Sequence, residues 1–383
     1  MAKYRRSDWY MVSVLLVLSL LLAACGGGGG AQEAGGSVTT GSGFVCPEPN
    51  PRLEVTSKEL NLFVWTEYIP QDIIDCFEDI YGVKVNREEY SSNEEMYAKL
   101  SKGASSYDLA QPSDSFVPLM IRSGLLEKLD TGKLANLKNI AAPYLPMQGD
   151  PSGEYIVPYQ AGTQGIVYNK ETVQNPPQSW ADLWKPEYAD RMVFVDDSRV
   201  VIGLTLLTEG KDPNTTDPSV LDAIKPKVAE LVKNIRIFDS DSPKTALIAG
   251  DADLGMVWTA EAEIANRETG NFGYVYPAEG QYNFMDGWGL LKDAPHPDAA
   301  YAWLSYVLQG EVFWKMLEEF PYIMPNQAAL DYAKENQPEL YKAYMDSGIT
   351  NTPKETWERG QWVRDVGNAS VLYEDIWTEV KGR

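Results

Sequence analysis

Between Leu60 and Gly124 the hydrophobic period of the chain switches back and forth, and this alternation restricts the fold more than any other feature. Leu60 to Trp65 (LNLFVW) is rich in β-favouring apolar residues, and QDIIDCFEDIYG then reads as a helix with Pro70 near its first turn and Gly82 at its end. VKVNREEY (83–90) is a second strand candidate, and NEEMYAKLSKG, from Asn93 to Gly103, a second helix. YDLAQPS (107–113) and SFVPLMIRSG, ending at Gly124, repeat the pair. Strands alternating with helices imply an α/β protein, a mainly parallel sheet with helical crossovers.

The same grammar returns later. Arg191 to Val195 is a strand candidate followed by Asp196 and Asp197, and Asp253 to Trp258 is another, leading into the helix AEAEIANRETG. Between these regions, YIVPYQAGTQGIVYNK (Tyr155 to Lys170) reads as two extended pieces around a glycine-containing bend, a crossing from a first lobe into a second. The roughly 330 residues beyond Leu53, in a chain of 44% hydrophobic content, suffice for two lobes of ordinary size.

In open parallel sheets, ligands sit beyond the carboxyl ends of the strands. Trp65, Thr66, Glu67 and Tyr68 fall at such an end, and Ser113, Asp114 and Ser115 at another. The tripeptide Val-Trp-Thr ends two strand candidates, at Val64 to Thr66 and at Val257 to Thr259, with Glu67 directly after the first and Glu261 one residue beyond the second. Phe284, Met285, Asp286, Gly287 and Trp288 again set aromatic rings near a carboxylate. Aromatic faces attract ammonium groups and cover methylene stems, while carboxylates accept charge-assisted hydrogen bonds from ammonium protons. Glu67, Asp197, Glu261 and Asp286 supply four such acceptors, and Trp65, Tyr68, Trp258, Phe284 and Tyr322 the walls. A linear polyamine matches both features, and a sugar, which also stacks on aromatic platforms, matches the second.

The first residues indicate export. Lys3, Arg5 and Arg6 precede an apolar run from Met11 to Leu22, and Leu22-Ala23-Ala24-Cys25 is similar to the lipobox of bacterial lipoproteins, which implies cleavage before Cys25 and its acylation. Acyl chains on Cys25 would anchor the protein to the outer face of the membrane. Gly26 to Gly43 read as a flexible tether, with the folded chain expected from about Leu53. Loss of residues 1–24 removes three basic residues and one acidic, taking the net charge from −22 to −24. Nucleic acid binding relies on Lys and Arg against phosphates, so no nucleic acid partner is expected. Cys46 and Cys76 remain, and an exported compartment permits a disulfide between them.

Taken in order, VWTEYIP, SNEEMYAKL, QSWADLWKPEY, NTTDP, LGMVW, FMDGWGL, MPN and DVGNAS resemble the spermidine/putrescine-binding proteins of bacterial ABC importers, from Leu60 to Arg383. The resemblance implies a two-lobe periplasmic-binding-protein (flytrap) fold, each lobe a mainly parallel sheet flanked by helices, with crossings near Gly162, Phe284 and Leu330. After a signal peptide at 1–24 and a tether at 25–52, the first lobe would hold 53–161 and 285–330, and the second 162–284 and 331–383. The same resemblance carries ligand contacts onto Trp65, Thr66, Glu67, Tyr68 and Ser115, onto Asp197 and Trp258, and onto Phe284, Asp286 and Tyr322. Glu261 stands where putrescine-type relatives carry an acid. Val200 and Val363 stand where relatives carry a second carboxylate and a glutamine, so spermidine-type recognition is incomplete. A membrane permease and its ATPase are the implied partners of a monomer with no cofactor or metal.

An exported enzyme is the rival class. The single histidine, His296, lies between Pro295 and Pro297 and reads as a turn residue, and no G-x-S-x-G elbow occurs. Iron(III) capture on this type of fold usually wants adjacent tyrosines, and Tyr155 and Tyr159 are not adjacent. Tyr301 to Leu308 and Val312 to Leu317 read as core, and ASVLYEDIWTEV as an amphipathic helix packed on a lobe.

Overall fold

The structure is a computed structural model that describes residues 38–103 and 106–382. The signal segment, Cys25 and most of the glycine-rich stretch lie outside the described residues. The first strand, β1 (Glu59–Trp65), leads into α1 (Gln71–Tyr81), whose Ile73, Ile74, Cys76, Phe77 and Ile80 form one buried face. Gly82 ends this helix in the left-handed conformation, with its N–H on the carbonyl of Glu78, a close that favours glycine. Next come β2 (Lys84–Tyr90), α2 (Asn93–Leu100), β3 (Leu109–Ala110) and α3 (Val117–Arg122). Ser92 caps α2 through its side chain. A long strand, β4 (Ile156–Asn169), opens the second half, followed by β5 (Met192–Phe194), α4 (Ser198–Thr208), α5 (Pro218–Asn234) and β6 (Ile235–Phe238).

Then follow α6 (Lys244–Ala249), β7 (Leu254–Trp258), α7 (Thr259–Thr269), β8 (Phe272–Val275) and β9 (Tyr282–Leu290). The remaining elements are α8 (Pro297–Val307), α9 (Gly310–Glu319), α10 (Gln327–Asn336), α11 (Pro338–Asp346), α12 (Lys354–Glu358), β10 (Gln361–Trp362) and α13 (Ser370–Lys381). Among the described residues, no helix is long and apolar enough to cross a membrane.

The strands form one sheet in the order β2-β1-β3-β9-β4-β7-β5-β6. Each half contributes a parallel trio, β2-β1-β3 and β7-β5-β6. Each trio is flanked by one antiparallel strand, β9 on the first and β4 on the second, and β4 pairs antiparallel with β9 to join the halves. Side chains alternate between two buried faces. Leu62 and Val64 enter the core under α1, α8 and α9, while Phe63 enters the one beside α2 and α3. In the second half Ile166, Met192 and Phe194 pack with α4, α5 and α13, and Val167 and Val193 with α6 and α7. Burial of both faces explains why the strands read as nearly continuous apolar runs.

Three expectations change. Within Tyr155 to Lys170, Ile156–Asn169 is one continuous strand with an irregularity between Pro158 and Gln160, and no bend at its glycines. Those glycines make room for rings: a Cβ on Gly162 would lie 2.4 Å from Phe284 Cζ, and one on Gly165 2.8 Å from Tyr274. The packed chain also begins before Leu53. Cys46 is buried in the first core, and Thr40 and Ser42 both donate to Asp72 at the start of α1. Residues 331–346 pack with the first half, where Ala333 and Tyr344 join the core around Trp314, so this crossing falls later than Leu330.

Cys46 and Cys76 form a disulfide with Cα atoms 5.3 Å apart, and it fastens this early segment to α1. The bridge spans a sequence separation of 30, so a double Cys46→Ala, Cys76→Ala variant should lose about 3–4 kcal/mol of stability through the freed chain entropy. Urea unfolding of the two proteins measures this, and coincident midpoints would contradict it.

Candidate functional site

Several carboxyl-terminal strand ends meet around one cavity of about 330 Å³. β1 delivers Trp65, Thr66, Glu67 and Tyr68 to it, and the loop after β3 delivers Ser113, Asp114 and Ser115. Asp197, just past β5, caps α4 by accepting the Val200 N–H at 3.0 Å, and Trp258 ends β7 where α7 begins and carries Glu261. Phe284 and Asp286 project from β9, and Tyr322 from the turn after α9. All eleven residues singled out from the sequence as ligand contacts border this cavity.

The walls are fixed by their own contacts. Trp65 donates its ring N–H to the Gln111 carbonyl at 2.8 Å and lies 4.7 Å from the Tyr90 ring. Tyr68 stacks edge-on against Tyr322 at 5.2 Å, and Tyr322 in turn against Phe284 at 5.8 Å. Gly162 lies opposite Phe284 in the β4–β9 register, so the missing side chain is what lets that ring lie over the junction of the halves. Glu67 takes a left-handed backbone (φ 52), uncommon for a non-glycine residue and a modest strain held at the cavity edge.

Asp286 is buried, 4% exposed, and accepts hydrogen bonds from Ser113 Oγ at 2.5 Å and Tyr68 Oη at 2.6 Å. Burial pushes its carboxyl up to about 6 despite these two bonds, and Asp114 adds repulsion. Asp114 is itself pushed up to about 6 by burial. A second group of acids lies around Asp197. Burial raises Asp197, opposed by the Val200 N–H and the Arg199 charge. Glu94 borders the cavity, and desolvation there, with Asp197 and Glu374 beside it, pushes it up to about 7. Glu374 accepts a hydrogen bond from Ser198.

A third group involves a lysine. Lys244, first residue of α6, donates from Nζ to Glu67, to Glu261 Oε1 at 3.1 Å and to Ser242 Oγ at 2.9 Å. Burial pushes the Glu261 carboxyl up to about 7, with the lysine pulling the other way. Burial also works against the Lys244 ammonium, but Glu261 and Glu67 more than offset it and hold its proton above the ordinary lysine range.

Glu94, Glu374, Trp377 and Lys244 were not among the residues expected here. Glu94 reads as an ordinary acid in the first turn of a helix, and Glu374 and Trp377 as members of an amphipathic helix at i, i+3 spacing; only the tertiary fold turns them to the cavity. Val200 and Val363 border it too, with no polar group to offer. His296 lies elsewhere: its backbone N–H and Nδ1 meet the fully buried Asp108 at 2.6 and 3.0 Å, at the start of α8.

Residues 72–344 match the family described as bacterial extracellular solute-binding protein. The chain is 34% identical over 326 residues to the spermidine/putrescine-binding periplasmic protein of Salmonella typhimurium, covering 84% of this chain and 91% of that one. Among solved structures, it resembles the spermidine/putrescine ABC transporter substrate-binding protein of Streptococcus pneumoniae, with TM-score 0.70, 30% identity and coverage of 85% and 99%. It likewise resembles a lipoprotein of Treponema pallidum, with TM-score 0.74, 31% identity and coverage of 85% and 100%.

The strained electrostatics of Asp286 predict a gain from removing its charge. Its carboxyl titrates at about 6 in the fold against an ordinary 3.8, so above pH 6 the folded state holds a carboxylate that the unfolded chain holds more easily, and below about pH 4 the penalty is gone. Asp286→Asn should therefore stabilise the ligand-free protein by roughly 1–3 kcal/mol at pH 7.5 and by much less at pH 4. Thermal denaturation at the two pH values checks this, and no gain at pH 7.5 would contradict it.

Proposed function

The chain belongs to the bacterial extracellular solute-binding proteins, and from that premise we propose that it captures a polyamine between its two lobes and hands it to the permease of an ABC importer. One observation carries the ligand class. Nine carboxylates border the cavity, and Arg199 is the one basic side chain among its described lining residues. Five aromatic walls, Trp65, Tyr68, Trp258, Phe284 and Tyr322, stand among them. A linear polyammonium ion uses both features, its methylenes on the rings and its N–H groups on the carboxylates. A sugar would bring no positive charge to offset these carboxylates. The curated relative named above is described by its spermidine and putrescine binding, which supports the same reading.

Ligand reaching both halves of the sheet would stabilise a closed arrangement over an open one, and only contacts made in the closed arrangement shift that balance. The closed form would then dock on the permease. This role assigns no reaction to the chain, and His296, tied to Asp108 away from the cavity, has no part in it. Iron(III) finds little support, since Tyr159 is buried away from the cavity with its hydroxyl on the Tyr68 carbonyl.

The test is calorimetry with putrescine, spermidine, a panel of sugars and iron(III). Polyamines should bind, Asp286→Ala should cost about 2–4 kcal/mol by removing a desolvated charge partner, and sugars should give no heat. A cation favours ionised carboxylates, so affinity should be full only by about pH 8 and fall as Glu94, facing Asp197, Glu374 and Arg199, and then Asp286, facing Asp114, take up protons at about 7 and about 6. Binding at pH 5.5 should be at least about tenfold weaker than at pH 8. Sugar binding without polyamine binding, or an affinity indifferent to pH, would sink the reading.

We further propose membrane attachment through an acylated Cys25, supported by the Leu22-Ala23-Ala24-Cys25 sequence, a segment outside the described residues. Metabolic labelling with a fatty acid should mark the wild type and not Cys25→Ser. Equal labelling of both would remove the anchor.

A further inference from the structure

Lys244 is a tethered primary ammonium held against two carboxylates of the cavity wall, Glu67 and Glu261. Its three donors meet Glu67, Ser242 and Glu261, with Glu261 Oε1 at 3.1 Å and Oε2 at 3.2 Å from Nζ. The Lys244 backbone N–H also reaches Glu261 Oε2, at 3.2 Å. The side chain is only 14% exposed, and that of Glu261 4%. A primary ammonium on four methylenes is, chemically, one end of a linear polyamine. Glu67 comes from the first half of the sheet, while Lys244 and Glu261 come from the second, so the lysine joins the two sets of strand ends as a ligand would.

Resting on the polyamine reading, we propose that Lys244 occupies one ammonium position of the cavity permanently and so limits the ligand to two positive charges, making a diamine the preferred solute. Four carboxylates, Glu67, Asp197, Glu261 and Asp286, stand out as acceptors from the sequence, and the lysine ammonium engages two of them, Glu67 and Glu261. Asp286, with Asp114 beside it, remains, and so does Asp197, with Glu94 and Glu374 beside it. Those two acceptors are the ones left for the two ends of a diamine. A third ammonium would have to displace Lys244 from Glu67 and Glu261. The tether keeps the lysine at an effective concentration of about millimolar or higher, and eviction would leave its own charge partly buried without a partner, which is costly. Val200 and Val363 act in the same direction, because neither offers a further charged or hydrogen-bonding group to a longer ligand.

Removing the ammonium empties the position. Calorimetric titrations of wild type, Lys244→Ala and Lys244→Met with putrescine and spermidine, at pH 7.5 and low salt, test this, the methionine keeping most of the apolar stem should alanine unfold the site. Wild type should bind putrescine at least as tightly as spermidine. Both variants should shift the spermidine-to-putrescine affinity ratio toward spermidine by about tenfold or more, as expected for a newly available close charge pair. An unchanged ratio in the folded variants, with amine binding intact, would overturn the role of Lys244 and leave the polyamine reading standing. Wild type binding spermidine tenfold more tightly than putrescine would overturn it without any variant. Failure of all three proteins to bind either amine would overturn the polyamine reading and this inference together.

Discussion

The pairing of β4 with β9 is the constraint on which the rest of the structure depends. Each half of the sheet is a parallel trio closed by an antiparallel strand, and because those closing strands pair with each other, ten strands form one sheet around one cavity. The junction is specific at the level of single residues. Gly162 opposite Phe284 leaves space for a ring where the halves meet, and that ring, against Tyr322 and then Tyr68, builds the wall beside Asp286. A side chain at 162 would disturb ring, wall and acid together.

Around that junction the protein stores unfavourable electrostatics. Asp286, Asp114 and Glu94 are desolvated enough to titrate well above the ordinary carboxylate range, and Tyr68 and Ser113 relieve Asp286 only in part. Such acids weaken the fold and favour whatever cation enters, so stability given up in the empty protein returns as affinity in the loaded one. Glu261 follows the same rule with a different outcome, because the cation beside it is the chain's own Lys244.

Much of this was legible in the sequence, and the limits are physical. Apolar, β-favouring runs such as LNLFVW and caps such as Gly82 are local signals, so β1, α1, α2, β7 and α7 sit close to where the sequence places them. Strand ends carry ligand contacts in open α/β sheets, which is why Trp65 to Tyr68 and Trp258 to Glu261 could be paired before any coordinates. The glycines of β4 misled because their purpose is non-local: they admit Phe284 and Tyr274, from distant segments, and mark no bend. Glu94, Glu374 and Lys244 were invisible for a related reason. A surface acid and a cavity acid look alike in sequence, and an internal ion pair between residues 177 positions apart leaves no pattern to read.

The crystal structure of the protein grown with putrescine tests the central claim most directly. The account predicts the diamine lying along the aromatic walls, one nitrogen hydrogen-bonded to Asp286 and the other beside Asp197, with Lys244 still seated between Glu67 and Glu261. A diamine nitrogen between Glu67 and Glu261 with the lysine expelled would contradict the assignment of charges. A diamine found only outside the cavity would contradict the site itself.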